Sequence, residues 1–133
     1  MPVDALNQLQ ASVTKATTFN GAALILAGGT PRYGLWARIL YSAATSTTTN
    51  TATFSIDVCY DGVPTTWRSD FVGDAPLSLT TTAQAGVQYI PFNVQPTVVA
   101  GVITAPQIRA TITIAGAGTA SVVYQVDIME AKP

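Results

Sequence analysis

Histidine is absent from the sequence. That removes the side chain most often used as a general base, every Ser–His or Cys–His nucleophile pair, and the usual zinc ligand. Cys59 is the single cysteine, so no intrachain disulfide can form and no thiolate cage can hold a metal. It lies on the hydroxyl-bearing side of its segment, which predicts a reduced and dispensable residue. Charge is scarce as well. Asp, Glu, Lys and Arg make up 10% of the chain and the net charge is −1, where an ordinary soluble domain has about a quarter of its residues charged. The six basic residues are scattered, with no cluster able to neutralise several phosphates, so a nucleic-acid footprint is not expected. No apolar run approaches the roughly 18 residues that span a bilayer; the longest clean one, Ala22–Ala27, is strand-sized. The opening Met-Pro-Val-Asp lacks the basic residues and apolar core of a secretory signal, and there is no Asn-x-Ser/Thr sequon. The chain reads as one made and folded in a cytosol, without a membrane partner.

What is present is threonine and the pattern of a β protein. The chain has 133 residues, the usual size of a single domain with its own core, and 48% of them are hydrophobic. Twenty are threonine, which takes over the polar role from charge. Two readings fit so neutral a chain. Its hydroxyls solvate the surface, or much of that surface lies against other subunits, where interface cores are depleted of Lys, Glu and Asp.

Four segments alternate with a period of two and predict strands with one core face. In Leu35–Ala43, Leu35, Ala37, Ile39 and Tyr41 share a side, opposite Trp36, Arg38 and Leu40. In Thr51–Tyr60, Ala52, Phe54, Ile56, Val58 and Tyr60 oppose Thr51, Thr53, Ser55, Asp57 and Cys59. Gln107–Ala115 and Thr119–Glu130 repeat the pattern with Ile108, Ala110, Ile112 and Ile114, and with Ala120, Val122, Tyr124, Val126 and Ile128. Further strands are expected at Ser12–Phe19, Ala22–Ala27, Thr65–Val72 and Gly86–Phe92, with a short one near Leu77–Thr80. Turn chemistry separates them at Gly28–Pro31, Asp61–Pro64, Gly73–Pro76 and Gly116–Gly118, and the last of these reads as a hairpin by its spacing. Residues 1–11 read as an N-terminal arm and 12–133 as one domain. The expected fold is all-β: a two-sheet antiparallel sandwich, jelly-roll-like, with a small barrel as the alternative.

No catalytic, cofactor or metal residues emerge. A Ser–Lys dyad would depend on Lys15 or Lys132, both near chain ends, and Asp61 and Asp74 sit where turns place aspartate for backbone reasons. A calcium site from Asp70 and Asp74 has no recognised loop spacing. Gly116-x-Gly118 opens no helix and so is no dinucleotide fingerprint. The mid-strand charges Arg38, Arg109, Asp57 and Asp127 each sit opposite an apolar row, and are expected to pair across neighbouring strands at about 0.2–1 kcal/mol per pair. Arg32, Tyr33, Trp67 and Arg68 are the candidate interface residues, because Trp, Tyr and Arg dominate interface energetics. Against this, Trp67 serves equally well as a core or rim residue and the arginines as solvated ones.

The arm at Met1–Ala11, the basic-aromatic Pro31-Arg-Tyr-Gly-Leu-Trp-Ala-Arg38, the Thr/Ala-rich pair in Thr47–Tyr60, and Gln107-Ile-Arg-Ala-Thr-Ile-Thr-Ile-Ala-Gly-Ala-Gly-Thr-Ala120 before a closing strand together resemble one family. It is that of the small jelly-roll cement proteins of tailed-phage heads, of the Bordetella-phage cement type. The resemblance implies a non-catalytic virion structural protein on the capsid surface, made in the host bacterial cytoplasm. Its partners would be the major capsid protein and copies of itself, with no nucleic acid and no cofactor. A glycan-binding or fibre-tip module stacking sugars on Trp36, Trp67, Tyr33 or Tyr60, and a tail or connector component, are the competing expectations.

Overall fold

The computed structural model describes residues 8–25, 32–46, 48–59, 66–73, 76–80, 83–94, 97–104, 106–118 and 120–129. Twelve strands run through them: β1 (Gln8–Lys15), β2 (Phe19–Asn20), β3 (Leu24–Ile25), β4 (Arg32–Ala43), β5 (Asn50–Cys59), β6 (Arg68–Val72), β7 (Leu77–Leu79), β8 (Gln84–Val94), β9 (Thr97–Val99), β10 (Val102–Thr104), β11 (Gln107–Ala115) and β12 (Val122–Met129). All pairings are antiparallel. One sheet has the order β1-β12-β4-β8, the other β2-β11-β5-β6, with β3 also on β11 and β7 also on β5. If β2 and β3 are taken as one irregular strand and β6 and β7 as another, the eight major strands change sheet at every step except from β5 to β6, which is the double Greek-key order of a jelly roll. The barrel alternative is excluded by the two separate sheets.

Period-two alternation builds the core, because each strand turns every second side chain toward the opposite sheet. Leu35, Ala37 and Ile39 from β4, Ile90, Phe92 and Val94 from β8, and Val122, Tyr124 and Val126 from β12 meet Ala52, Phe54, Ile56 and Val58 from β5 and Ile108, Ala110 and Ile112 from β11. Aromatic rings bridge the layers. Phe54 lies 6.0 Å from Tyr41 and 5.4 Å from Tyr124, and Phe71 lies 6.1 Å from Phe92.

Three expectations are corrected. The arm does not extend to residue 11: β1 begins at Gln8 and pairs with β12, and Leu9 is buried in the core. Residues 1–7 lie outside the described part, as do the expected turns at 28–31 and 61–64. The glycines at 116 and 118 form no hairpin, because β11 and β12 belong to different sheets. The chain instead arches from one layer to the other and is fastened by Asn50. The Asn50 side-chain amide donates to the Gly118 carbonyl and its oxygen accepts from the Gly118 N–H, both at 2.7 Å. Gly116, at φ 123°, packs against Asn50 where a Cβ would collide with it. Cys59, third, is on the outer face of its sheet as its register requires, yet is fully buried.

The end of the sandwich that holds this arch is sewn shut. Ala44 N–H donates to Ser121 O at 2.9 Å, Ser46 N–H to Thr80 O at 2.7 Å, and the Thr18 hydroxyl accepts from Ile114 N–H at 3.1 Å. The opposite end gathers the starts of β4, β6 and β11, because Arg32 pairs with Val94, Arg68 with Val58 and Gln107 with Cys59.

Candidate binding surfaces

The four candidate interface residues come together at that second end, since Arg32 and Tyr33 open β4 while Trp67 and Arg68 lead into β6. The side chains of Arg32 and Tyr33 lie outside the described part. Trp67 is half-buried, and the Arg109 guanidinium carbon sits 4.2 Å from its ring centroid. One face of the indole is therefore engaged by a cation within the chain. Arg68 is exposed and its Nε lies 3.4 Å from an Asp70 oxygen, so Asp70 answers an arginine; Asp74 falls outside the described residues.

Beneath Trp67 lies a closed polar network. Arg109 and Asp57 face each other across β11 and β5 with Nε and Oδ2 3.1 Å apart. The same carboxylate accepts from the Thr111 hydroxyl at 2.6 Å, the Ser69 hydroxyl at 2.7 Å and the Ser55 hydroxyl at 3.1 Å. Four donors converge on one buried aspartate, as a buried charge requires. Ser69 reaches it because β6 shifts register against β5 between Ile56 and Val58. The cross-strand pairing expected of the four mid-strand charges takes the form of Arg109 with Asp57 and Arg38 with Asp127, and both aspartates are buried.

The outer face of the β1-β12-β4-β8 sheet is of another character. Register sets its side chains in cross-strand rows: Met129, Trp36 and Pro91; Asp127, Arg38 and Tyr89; Gln125, Leu40 and Val87; Val123, Ser42 and Ala85. Leu40, Val87, Tyr89 and Val123 are exposed, and with Val72, Val98 and Val102 they make up the exposed large hydrophobics of the described residues. The charge in these rows is self-cancelling, because Arg38 Nη2 is 3.0 Å from Asp127 Oδ2, which also accepts from Gln125 at 3.1 Å. A shallow groove of about 360 Å³ runs between Ser12, Leu40, Ser42, Val123 and Gln125. Chemically this face suits a flat, neutral, partly apolar partner, whereas the Trp67–Arg109 stack belongs to the other sheet.

Sequence reasoning placed Leu40 on the outer side of its strand but did not mark the face as a surface for binding. The signal was there. The outward positions Ala85, Val87, Tyr89 and Pro91 of β8 are largely apolar in an antiparallel sheet, where the outward side normally carries polar residues. The stretch from Ala75 to Ile108 also has no charged residue.

In comparison with known proteins, no protein-family model and no curated protein matches this chain.

Proposed function

We propose that this chain is a virion structural protein, a cement or decoration subunit that sits on the outside of a tailed-phage head and bridges neighbouring major capsid proteins. The observation that carries the reading is the outer face of the β1-β12-β4-β8 sheet: four exposed apolar side chains in adjoining rows, on a chain where 10% of residues are charged. Contiguous exposed apolar surface marks interaction sites in soluble proteins. The jelly-roll strand order agrees with the family that the sequence resembles. The role is one of binding without catalysis, performed on the virion surface after synthesis in the host cytoplasm. The alternative of sugar stacking on Trp67 is weakened, because Arg109 already occupies a face of that ring.

The test uses heads that lack the protein. Such heads are expected to assemble but to break at lower temperature, and purified protein added back is expected to bind them in many symmetry-related copies and restore their resistance. Purified protein that ignores the heads and instead binds glycans through its tryptophans overturns the reading.

A further inference from the structure

The connection from β8 to β11 does more than carry the chain between sheets. Within it β9 and β10 form a hairpin of their own, with Val99 opposite Val102, Val98 opposite Ile103 and Thr97 opposite Thr104. Ala100 and Gly101 make the turn at φ 51° and 80°, the positive values that a two-residue type I′ loop requires at both central positions. The two strands form a separate two-stranded sheet. Val98 is 69% exposed and Val102 64%, and the register puts them on opposite faces, so the hairpin offers apolar side chains on both sides. A lone two-stranded hairpin is marginal in water; a third strand or a packing surface is what stabilises one.

The longer edge strands of the sandwich proper are blunted. β8 carries Pro91 in mid-strand, β1 has two register shifts and ends in Lys15, and β6 displays Arg68 and Asp70, while β2, β3 and β7 are only two or three residues long. Prolines, bulges, charges and shortness are the devices that keep a sheet edge from pairing with another chain. Neither β9 nor β10 contains a proline or a charge. Their pairing has no register shift.

Charge identifies the occupant. About a two-fold axis residue i meets residue j while j meets i, so on strands of three residues a charge lies close to its own like charge in the partner. An uncharged hairpin suits its own copy, and no charge lies anywhere from Ala75 to Ile108. We propose that two copies of this chain pair their β9–β10 hairpins edge to edge about a two-fold axis, forming a four-stranded intermolecular sheet. Eight residues bury far less than the roughly 800 Å² per partner of a standard stable interface. The contact is therefore weak in dilute solution and strengthens where copies are held close together. Only that last step rests on the proposed role at a capsid; self-pairing is a property of the purified chain.

Sedimentation velocity of the full chain from roughly 10 µM to 1 mM, the range of weak contacts, tests this. The average mass is expected to climb toward that of a dimer. The double variants Val98→Lys/Val102→Lys and Val98→Glu/Val102→Glu are each expected to stay monomeric, and an equimolar mixture of the two to associate again. Because both positions are exposed, each variant is expected to melt close to the wild type. A second measurement needs no variant: amide exchange of residues 97–104 in the wild-type chain slows as concentration rises. A wild type that stays monomeric throughout overturns the proposal. So do charged variants that associate as the wild type does, a mixture that fails to recover, or exchange that ignores concentration. Binding to heads is measured separately, so a chain that coats heads yet never self-associates defeats the hairpin proposal alone.

Discussion

Arg38 and Asp127 stand directly opposite each other in the β4–β12 ladder with Nη2 and Oδ2 3.0 Å apart, and the carboxylate is fully buried although it lies on the sheet's outer face. Arg109 and Asp57 repeat the arrangement on the other sheet at 3.1 Å. Each sheet thus carries a neutralised pair in the middle of its outside. This burial changes the energetics expected of an exposed cross-strand pair. The Coulombic gain is set against desolvation, so the pair contributes little net stability, whereas removing one partner strands a buried charge.

Asp57→Ala is accordingly expected to cost about 3–5 kcal/mol, since it abandons Arg109 and three hydroxyl donors at once. Asp127→Ala removes a carboxylate with fewer donors and is expected to cost somewhat less. Asp70→Ala, which breaks the exposed pair with Arg68, is expected to cost only about 0–1 kcal/mol. Urea unfolding of the three variants checks the order, and equal losses at Asp57 and Asp70 would contradict the network.

Tyr124 has a buried hydroxyl with no hydrogen-bond partner among the described residues, and burial pushes its pKa from 10.0 up to about 12. The folded chain keeps this proton at a pH where the unfolded chain has released it. This contribution to stability is whole below pH 10 and declines as pH rises toward 12, at about 1.4 kcal/mol per pH unit. Tyr124→Phe is expected to raise stability at neutral pH by about 1 kcal/mol, by removing an unsatisfied polar group. It is also expected to flatten this part of the alkaline decline. Unfolding free energies of both proteins at about pH 9 and about pH 11 decide the matter.

Much of the sandwich was legible because strict alternation fixes both a strand and its faces. Gln107–Ala115 emerges with the expected bounds, and the inward rows of β4, β5 and β12 are largely those read from the sequence. Alternation says nothing about which sheet a strand joins, so the Gly116–Gly118 link looked like a hairpin when it is an arch. It is equally silent on which outer faces are covered. Ser55, Asp57, Cys59 and Thr111 alternate as exposed residues would and are all buried. The β9–β10 hairpin escaped notice because Ala100-Gly101 lacks the Asn-Gly or Asp-Gly signal of a type I′ turn. Of the candidate interface residues, Trp67 was flagged by composition, but its contact with Arg109 is a product of tertiary structure.

Cys59 illustrates the cost of that silence. A dispensable surface thiol would tolerate Ser without loss. A fully buried one is expected to lose about 1–3 kcal/mol on Cys59→Ser, because a hydroxyl costs more to bury than a thiol. A thiol reagent is expected to modify the native protein only at the rate of its unfolding, and rapid labelling would show the sulfur to be accessible.

Leu9 provides a similar test at the other edge. It lies in β1 and packs in the core, so Leu9→Ala is expected to cost about 2–4 kcal/mol. Deleting the chain through Gln10 is expected to destabilise the domain itself rather than only its assembly. A truncated protein that melts like the full chain would return these residues to the status of an arm.

The outer face of the β1-β12-β4-β8 sheet yields the prediction closest to function. Leu40 and Val123 are 38% and 40% exposed, so charges placed there should leave folding within about 0.5 kcal/mol of the wild type. If that face meets the capsid, the same charges must be desolvated against a neutral surface, and Leu40→Glu and Val123→Glu are each expected to weaken attachment to heads by about ten-fold or more. Salt distinguishes this contact from an ionic one. Arg38, Arg109 and Arg68 are each already paired within the chain. Raising salt from about 0.1 to 1 M shortens electrostatic reach from roughly 10 to 3 Å and should hardly change attachment of the wild type. Attachment that collapses in high salt, or that ignores both substitutions, would mean that the capsid is met by a different surface.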